Sequence, residues 1–305
     1  MLSTKVLCKY PISYLQDKLQ GICTGDLVVI GASSGSGKST LSRLITRAAY
    51  DQDCPVVLYS LENSPGTFVS EDIRLLYNEE TGSYIDQRPW EIMRSKDPKR
   101  YEEYSKKVFE RHQKTNADGL KLLQIHEEVA GENMTVDRLI RSMEKKYNEG
   151  YRLFIIDHLD MLISDPKNEL SQTVYNMNRL WWFVSTYNVG CVTFSQTSDV
   201  PEYVLCPNDT ALRGSRTKGQ RATVVIMLSQ HKYEYYPLVG NPSAKATYMR
   251  IAKFRQGGTS CGIVYYNRGE YLDYYKEVLC DNSGRLIDGM TVDKFIRNKK
   301  GKGDE

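Results

Sequence analysis

The sequence predicts an α/β fold: a mainly parallel central sheet with helices on both faces and antiparallel strands toward the C-terminus. Three observations carry that expectation. Short apolar runs recur along the 305 residues with helical stripes between them, the alternation that builds a parallel sheet covered on both sides. One run passes directly into a Gly/Ser loop and then into a helical pattern. After Asn208 the long helical stripes stop, while strand-like runs continue.

Taken in order, the strand candidates are Leu27–Gly31, Val56–Ser60, Leu120–Ile125, Leu153–Asp157 and Gly190–Ser195. Each is apolar and ends in a polar or Gly turn, as a buried parallel strand should. Helical stripes fill the gaps. Leu41, Leu44, Ile45 and Ala48 form one; Val136, Leu139, Ile140, Met143 and Tyr147 form a second, with Thr135 as N-cap and Asp137 in its first turn. Leu170, Val174, Met177, Trp181 and Val184 form a third. The later runs Thr223–Ser229, Thr247–Lys253 and Gly262–Asn267 have no long helices between them and read as antiparallel additions to the sheet. Residues 86–116 are mostly charged around a thin stripe of Tyr101, Tyr104 and Val108, which reads as a solvated helical hairpin inserted at the surface. The expected organisation is a lead-in over 1–24, a core domain over 25–275 and an extension over 276–305 ending in the basic tail RNKKGKGDE.

Composition narrows the function classes. Lys plus Arg total 41 against 38 Asp plus Glu, a net charge of +3, which excludes a histone-like polycation and requires any nucleic-acid contact to be local. No apolar run approaches the ~20 residues of a membrane span. The first residues carry no apolar core with a small-residue cleavage site. A soluble, cytoplasmic chain without membrane contact is therefore expected. Seven cysteines, odd in number and scattered without a CxxC pair, read as reduced thiols and not as a zinc site. At this length a single α/β domain buries roughly three quarters of its unfolded surface, so no cross-link is needed to hold it.

The segment Leu27-Val-Val-Ile-Gly-Ala-Ser-Ser-Gly-Ser-Gly-Lys-Ser-Thr40 is where chemistry enters. A strand, a small-residue loop and a helix start are what a phosphate cradle needs: backbone N–H groups of Ser34, Gly35, Ser36 and Gly37 can converge on a phosphate, and the helix dipole adds to them. Lys38 would bridge β- and γ-phosphates, Ser39 would hold Mg²⁺, and Thr40 completes the loop. Ala32 stands where the strict motif has Gly. A carboxylate for the cation is supplied by Arg152-Leu-Phe-Ile-Ile-Asp157, an apolar strand ending in Asp157. Two further strand ends carry polar groups. Glu62 follows Val56–Leu61 and could orient or deprotonate an attacking water; Gln196 ends Val192–Ser195 and could hydrogen-bond a γ-phosphate oxygen.

This order of P-loop, Glu62, Asp157 and Gln196 resembles the RecA-like core. The later segments Ala211-Leu-Arg-Gly-Ser215, Gln220, Arg250-Ile-Ala-Lys-Phe-Arg-Gln-Gly-Gly-Thr259 and Gly262–Asn267 are similar to the motor domain of the hexameric replicative helicases of bacteria and short-tailed phages, the DnaB-like superfamily. The resemblance is collinear from about Tyr10 to Leu272. It implies a hydrolase using ATP, or another nucleoside triphosphate, with Mg²⁺. It also implies a homo-oligomeric, hexameric ring on single-stranded DNA, with a primase or loader as partner. By it, Arg255 is the finger that enters the neighbouring subunit's site, Lys253 its companion, and Tyr266 the aromatic that stacks on the base.

Three features depart from that pattern. The motor starts almost at the first residue, without a preceding primase or collar domain, which fits a phage, plasmid or similarly compact genome. The stretch Thr197–Thr210, where relatives place basic channel loops, has acidic residues and no Lys or Arg; phosphate contacts would then fall to Arg213, Arg216, Lys218 and Arg221. Arg221 and Thr223 stand where relatives often have acidic residues. Beside the motor a second reading remains: a non-motor RecA-type ATPase, a recombination mediator or assembly switch.

Overall fold

The computed structural model describes residues 4–82, 85, 87–126, 134–162, 168–198, 204, 206–214, 216–238, 241–267 and 270–278. Ser215, most of the acidic stretch 199–205 and the basic tail lie outside the described residues.

Strand β1 (Val6–Cys8), helix α1 (Ser13–Leu19) and strand β2 (Ile22–Cys23) lead into β3 (Leu27–Ala32), α2 (Lys38–Asp51) and β4 (Val56–Ser60). Three helices follow: α3 (Pro65–Thr81), α4 (Gln87–Lys96) and α5 (Pro98–His112). Next come β5 (Leu123–His126), α6 (Val136–Glu149), β6 (Leu153–Asp157), α7 (Glu169–Tyr187), β7 (Gly190–Gln196) and α8 (Thr217–Arg221). The chain then runs through β8 (Val224–Leu238), β9 (Asn241–Phe254), β10 (Ser260–Asn267) and β11 (Glu270–Val278). A nine-stranded sheet runs β11-β10-β9-β8-β3-β7-β6-β4-β5, and β1 pairs with β2 in a small separate one.

Side-chain alternation along each central strand divides the core between the two faces. Val28, Ile30, Leu153 and Ile155 face one layer, with α1 and α2; Leu27, Val29, Phe154 and Ile156 face the other, with α6 and α7. The lead-in belongs to the first layer: Tyr10, Ile12, Tyr14, Leu15 and Leu19 are buried in it, and the Tyr14 hydroxyl pairs with Ser260 Oγ at 2.8 Å.

Helix α6 follows its sequence signals closely. Thr135 caps it by accepting the Arg138 N–H, Asp137 sits in the first turn, Gly150 ends it at φ 117°, and Val136, Leu139, Ile140 and Met143 are buried.

Four expectations are corrected. Strand β8 is not antiparallel to the core: it pairs parallel with β3, because α8 serves as a crossover that returns the chain in the same direction. The antiparallel additions begin at β9. The buried face of α7 is rotated, with Thr173, Asn176, Met177, Leu180, Phe183 and Val184 inside, and Leu170 exposed. In α2 the deep stripe is Leu41, Ile45 and Ala49; Ala48 is only half-buried. The 86–116 hairpin is not simply solvated, since Trp90, Tyr104 and Val108 pack with Ile73 and Tyr77 of α3 into a satellite core.

Candidate nucleotide-binding site

Adjacent strands bring the site residues to one edge. In the order β3, β7, β6 and β4, the carboxyl ends carry the Gly/Ser loop, Gln196, Asp157 and, just beyond, Glu62. Ala32 is in register with Gln196, and Ser60 with Asp157. Ligand sites of open α/β sheets form in such a crevice outside the carboxyl ends of the strands.

The loop 33–37 turns on Gly35 and Gly37, at φ 74° and 87°, conformations that cost a side-chain-bearing residue energy. A Cβ at Gly35 would meet nothing within 4 Å, so open space lies beside the loop. Ser33 and Ser36 hydroxyls pair at 2.6 Å. Lys38 begins α2, is buried, and donates to the carbonyls of Ala32 and Ser33 at 2.9 and 3.0 Å. Burial lowers its pKa, against the opposing pull of Asp157, Glu62 and Asp160. Three carboxylates thus surround one buried ammonium.

Asp157 is 5% exposed and its Oδ1 has no hydrogen-bond partner. Burial foremost raises its pKa, with Glu62 adding to the rise, while His158 and hydrogen bonds from Ser42 and Ser39 oppose it. An unpartnered buried carboxylate oxygen beside the Ser39 hydroxyl is a donor pair suited to a hard divalent cation, which takes its remaining ligands from water and phosphate. Asp157 and Ser39 therefore fit Mg²⁺. Among the described residues no cluster of three or more His, Cys, Asp or Glu forms a metal cage.

Glu62 is held through its backbone: the N–H groups of Leu61 and Glu62 donate to the Asp157 carbonyl at 2.6 and 3.4 Å. Its carboxylate is half exposed and 3.4 Å from His158 Nε2. Gln196 offers its side-chain oxygen to Arg213 Nη1 at 3.4 Å, and its N–H donates to Asp160 Oδ2 at 2.6 Å.

Asp160 and His158 were not singled out from the sequence. Asp160 accepts from Lys218 Nζ, from Ser195 Oγ at 3.2 Å and from the Gln196 N–H. Burial works to raise its pKa, but His158, Lys218 and the Gln196 N–H outweigh that and hold it at about 2. Lys218 is thereby removed from the expected phosphate contacts: it is 1% exposed, and its donors go to Asp160, Ser195 Oγ and the Arg213 carbonyl. The other three basic groups differ in exposure. Arg216 is exposed, Arg213 pairs with Glu169 at 3.1 Å, and Arg221 donates to Asn178 and lies over Trp181.

The remaining predicted residues lie away from the cradle. Lys253 donates to the carbonyls of Gly219 and Gln220 at 2.7 and 2.9 Å. Arg255 is exposed on the turn after β9, and its side chain makes no hydrogen bond or ion pair with another described residue. Tyr266 is in β10, opposite Lys245; its side chain lies outside what is described.

A family model of the DnaB-like helicase C-terminal domain matches residues 9–272. The chain belongs to this family. Two solved structures show the same fold. One, an ATPase domain on its own, superposes with a TM-score of 0.70 at 18% identity, covering 87% of this chain and 90% of that one. A DnaB-like replicative helicase, described with its interactions with primase, gives 0.68 at 18% identity over 87% of this chain and 61% of that one. This chain thus spans less than two thirds of the second relative. No curated protein matches the sequence significantly. As a member of the DnaB-like family the chain is a nucleotide-hydrolysing helicase motor domain.

Proposed function

We propose that this domain hydrolyses ATP or a related triphosphate with Mg²⁺ at the strand-end site, and that as a ring of identical subunits, a hexamer by family resemblance, it moves along single-stranded DNA and separates duplex. Loop amides 34–37 and Lys38 bind the phosphates, with Thr40 in the first turn of α2. Ser39 and Asp157 hold the cation, which when bound draws charge from the β- and γ-phosphate oxygens. Glu62 takes a proton from the attacking water, and Gln196 senses the γ-phosphate. Tyr266 would stack on the base, and a primase or loader remains the expected partner.

The observation that carries the oligomeric part is strand register. Phe254 pairs with Val224, and Val224 with Val28, so Arg255 emerges at the level of the start of β3. The cradle follows Ala32, at the other end of that strand, some 13 Å along it at about 3.3 Å per residue. Arg255 also lies two strands across the sheet, roughly 10 Å at the usual spacing. A finger so placed serves another subunit's nucleotide, with Lys253 behind it.

The non-motor ATPase keeps one observation in its favour: residues 197–210 contain no Lys or Arg. Strand displacement on a forked DNA substrate with ATP and Mg²⁺ separates the readings. Wild type is expected to displace the strand and Lys38→Ala not to. ATP hydrolysis without displacement, and without stimulation by single strands, would replace the motor with the switch.

A further inference from the structure

His158 has no part in the chemistry assigned above, yet it sits between two groups that matter. Its ring is 3% exposed; Nε2 lies 3.4 Å from Glu62 Oε2, and Nδ1 lies 3.6 Å from Asp160 Oδ2. The two carboxylates differ in freedom. Asp160 is locked by Lys218, Ser195 and the Gln196 N–H. Glu62 is fixed only at its backbone, and its carboxylate is 48% exposed. A half-exposed glutamate retains most of its rotamer freedom, and ordering it costs up to ~2 kcal/mol. Among the described residues, the ion-pair contact of its carboxylate is with His158.

We propose that His158 is a positioning residue for Glu62: anchored from behind by Asp160, its imidazole holds the Glu62 carboxylate toward the site where the attacking water must sit. This rests on the proposed role of Glu62 as base. His158 itself does not touch the reacting atoms. Because Asp160 also binds the Gln196 N–H, one buried carboxylate fixes both the holder of the base and the end of the strand that carries Gln196.

The test separates the two ring nitrogens. A Gln side chain places its amide near the Nε2 position and an Asn near Nδ1, so His158→Gln keeps the contact to Glu62 and His158→Asn keeps the one to Asp160. His158→Gln is expected to stay within a few-fold of wild-type kcat. His158→Asn is expected to lose about 10–100-fold in kcat, the scale of a displaced reactive group, with KM for nucleotide little changed. In a Glu62→Gln background, His158→Asn should cost no further rate, since groups acting as one unit are non-additive. Losses that multiply, or a loss in KM with kcat intact, overturn the proposal. Should His158→Asn fail to fold, His158→Gln decides: retained turnover supports the role, and a loss multiplying with that of Glu62→Gln removes it. If Glu62→Gln alone hydrolysed at the wild-type rate, the base assignment itself would fall.

Discussion

Asp157 shows at the scale of one residue how stability is given up for function. Burial raises its pKa, so at neutral pH the folded chain carries a carboxylate it would hold more easily protonated. A raised carboxyl pKa penalises the folded state fully above its folded value and not at all below its unfolded one. Asp157→Asn is therefore expected to raise the Tm of the nucleotide-free protein at neutral pH, with the gap over wild type closing as pH falls toward the ordinary carboxylate range. The same variant should weaken Mg²⁺-dependent nucleotide binding. Glu62→Gln should behave differently, keeping nucleotide and Mg²⁺ affinity while hydrolysis falls by roughly 10²–10⁴-fold. Equal losses of affinity in the two variants, measured by calorimetry with and without Mg²⁺, would contradict the separate roles.

At the scale of elements, the helix that starts at the cradle is welded to the inserted helices. Asp72 of α3, 1% exposed, accepts from Tyr50 Oη at 2.8 Å and His112 Nε2 at 2.7 Å, and lies 3.1 Å from Arg47 Nε. Arg47 also grips Glu79 through both terminal nitrogens at 2.9 Å. Burial opposes the charge on Asp72, but His112 and Arg47 prevail and keep its pKa below the usual range. Asp72→Ala removes the acceptor from a buried cation and is expected to destabilise by about 3–5 kcal/mol, the cost of breaking a buried pair from one side. The depressed pKa sets the direction with pH: this stability is present above the ordinary carboxylate pKa and fades as pH falls below it. Urea titrations at neutral pH and near pH 3 should show the variant's deficit shrinking; a deficit unchanged with pH would mean that packing, not charge, is lost.

At the scale of the whole molecule the test is whether sites are shared. Subunits with Lys38→Ala and subunits with Arg255→Ala should each be inactive alone. Mixed, they should recover part of the ATPase activity, because some interfaces then join an intact cradle to an intact finger, and such a finger contributes roughly 10³–10⁵ in rate. No recovery in demonstrably mixed oligomers would remove Arg255 from the neighbour's site. For DNA, replacing Arg213, Arg216 and Arg221 by Ala should flatten the log–log salt dependence of single-strand affinity by about 0.7 per lost phosphate contact, evenly across sequences. Lys218→Ala should instead appear as lower stability, since it strips the buried Asp160 of its cation.

The cradle was legible in the sequence because it is local: strand, loop and helix start lie within Leu27–Thr40, and their order alone dictates where backbone N–H groups point. Asp157, Glu62 and Gln196 were legible for a related reason, since an apolar strand of known direction puts its last residue at a known edge. Segment type was readable for α6, whose cap and stripe agree. Direction was not readable for β8, because a short helix between two strands reverses or preserves the chain according to where it packs. Nor could residue type assign Lys218. In sequence it is one of several basic residues near Arg213; in the fold it is 58 residues from the carboxylate it neutralises, and burial decides its role. Local order determined the nucleotide chemistry of this protein. Tertiary structure decided which charges remain free to act, because a charge taken out of water must find a partner and, having found one, is no longer available to a ligand.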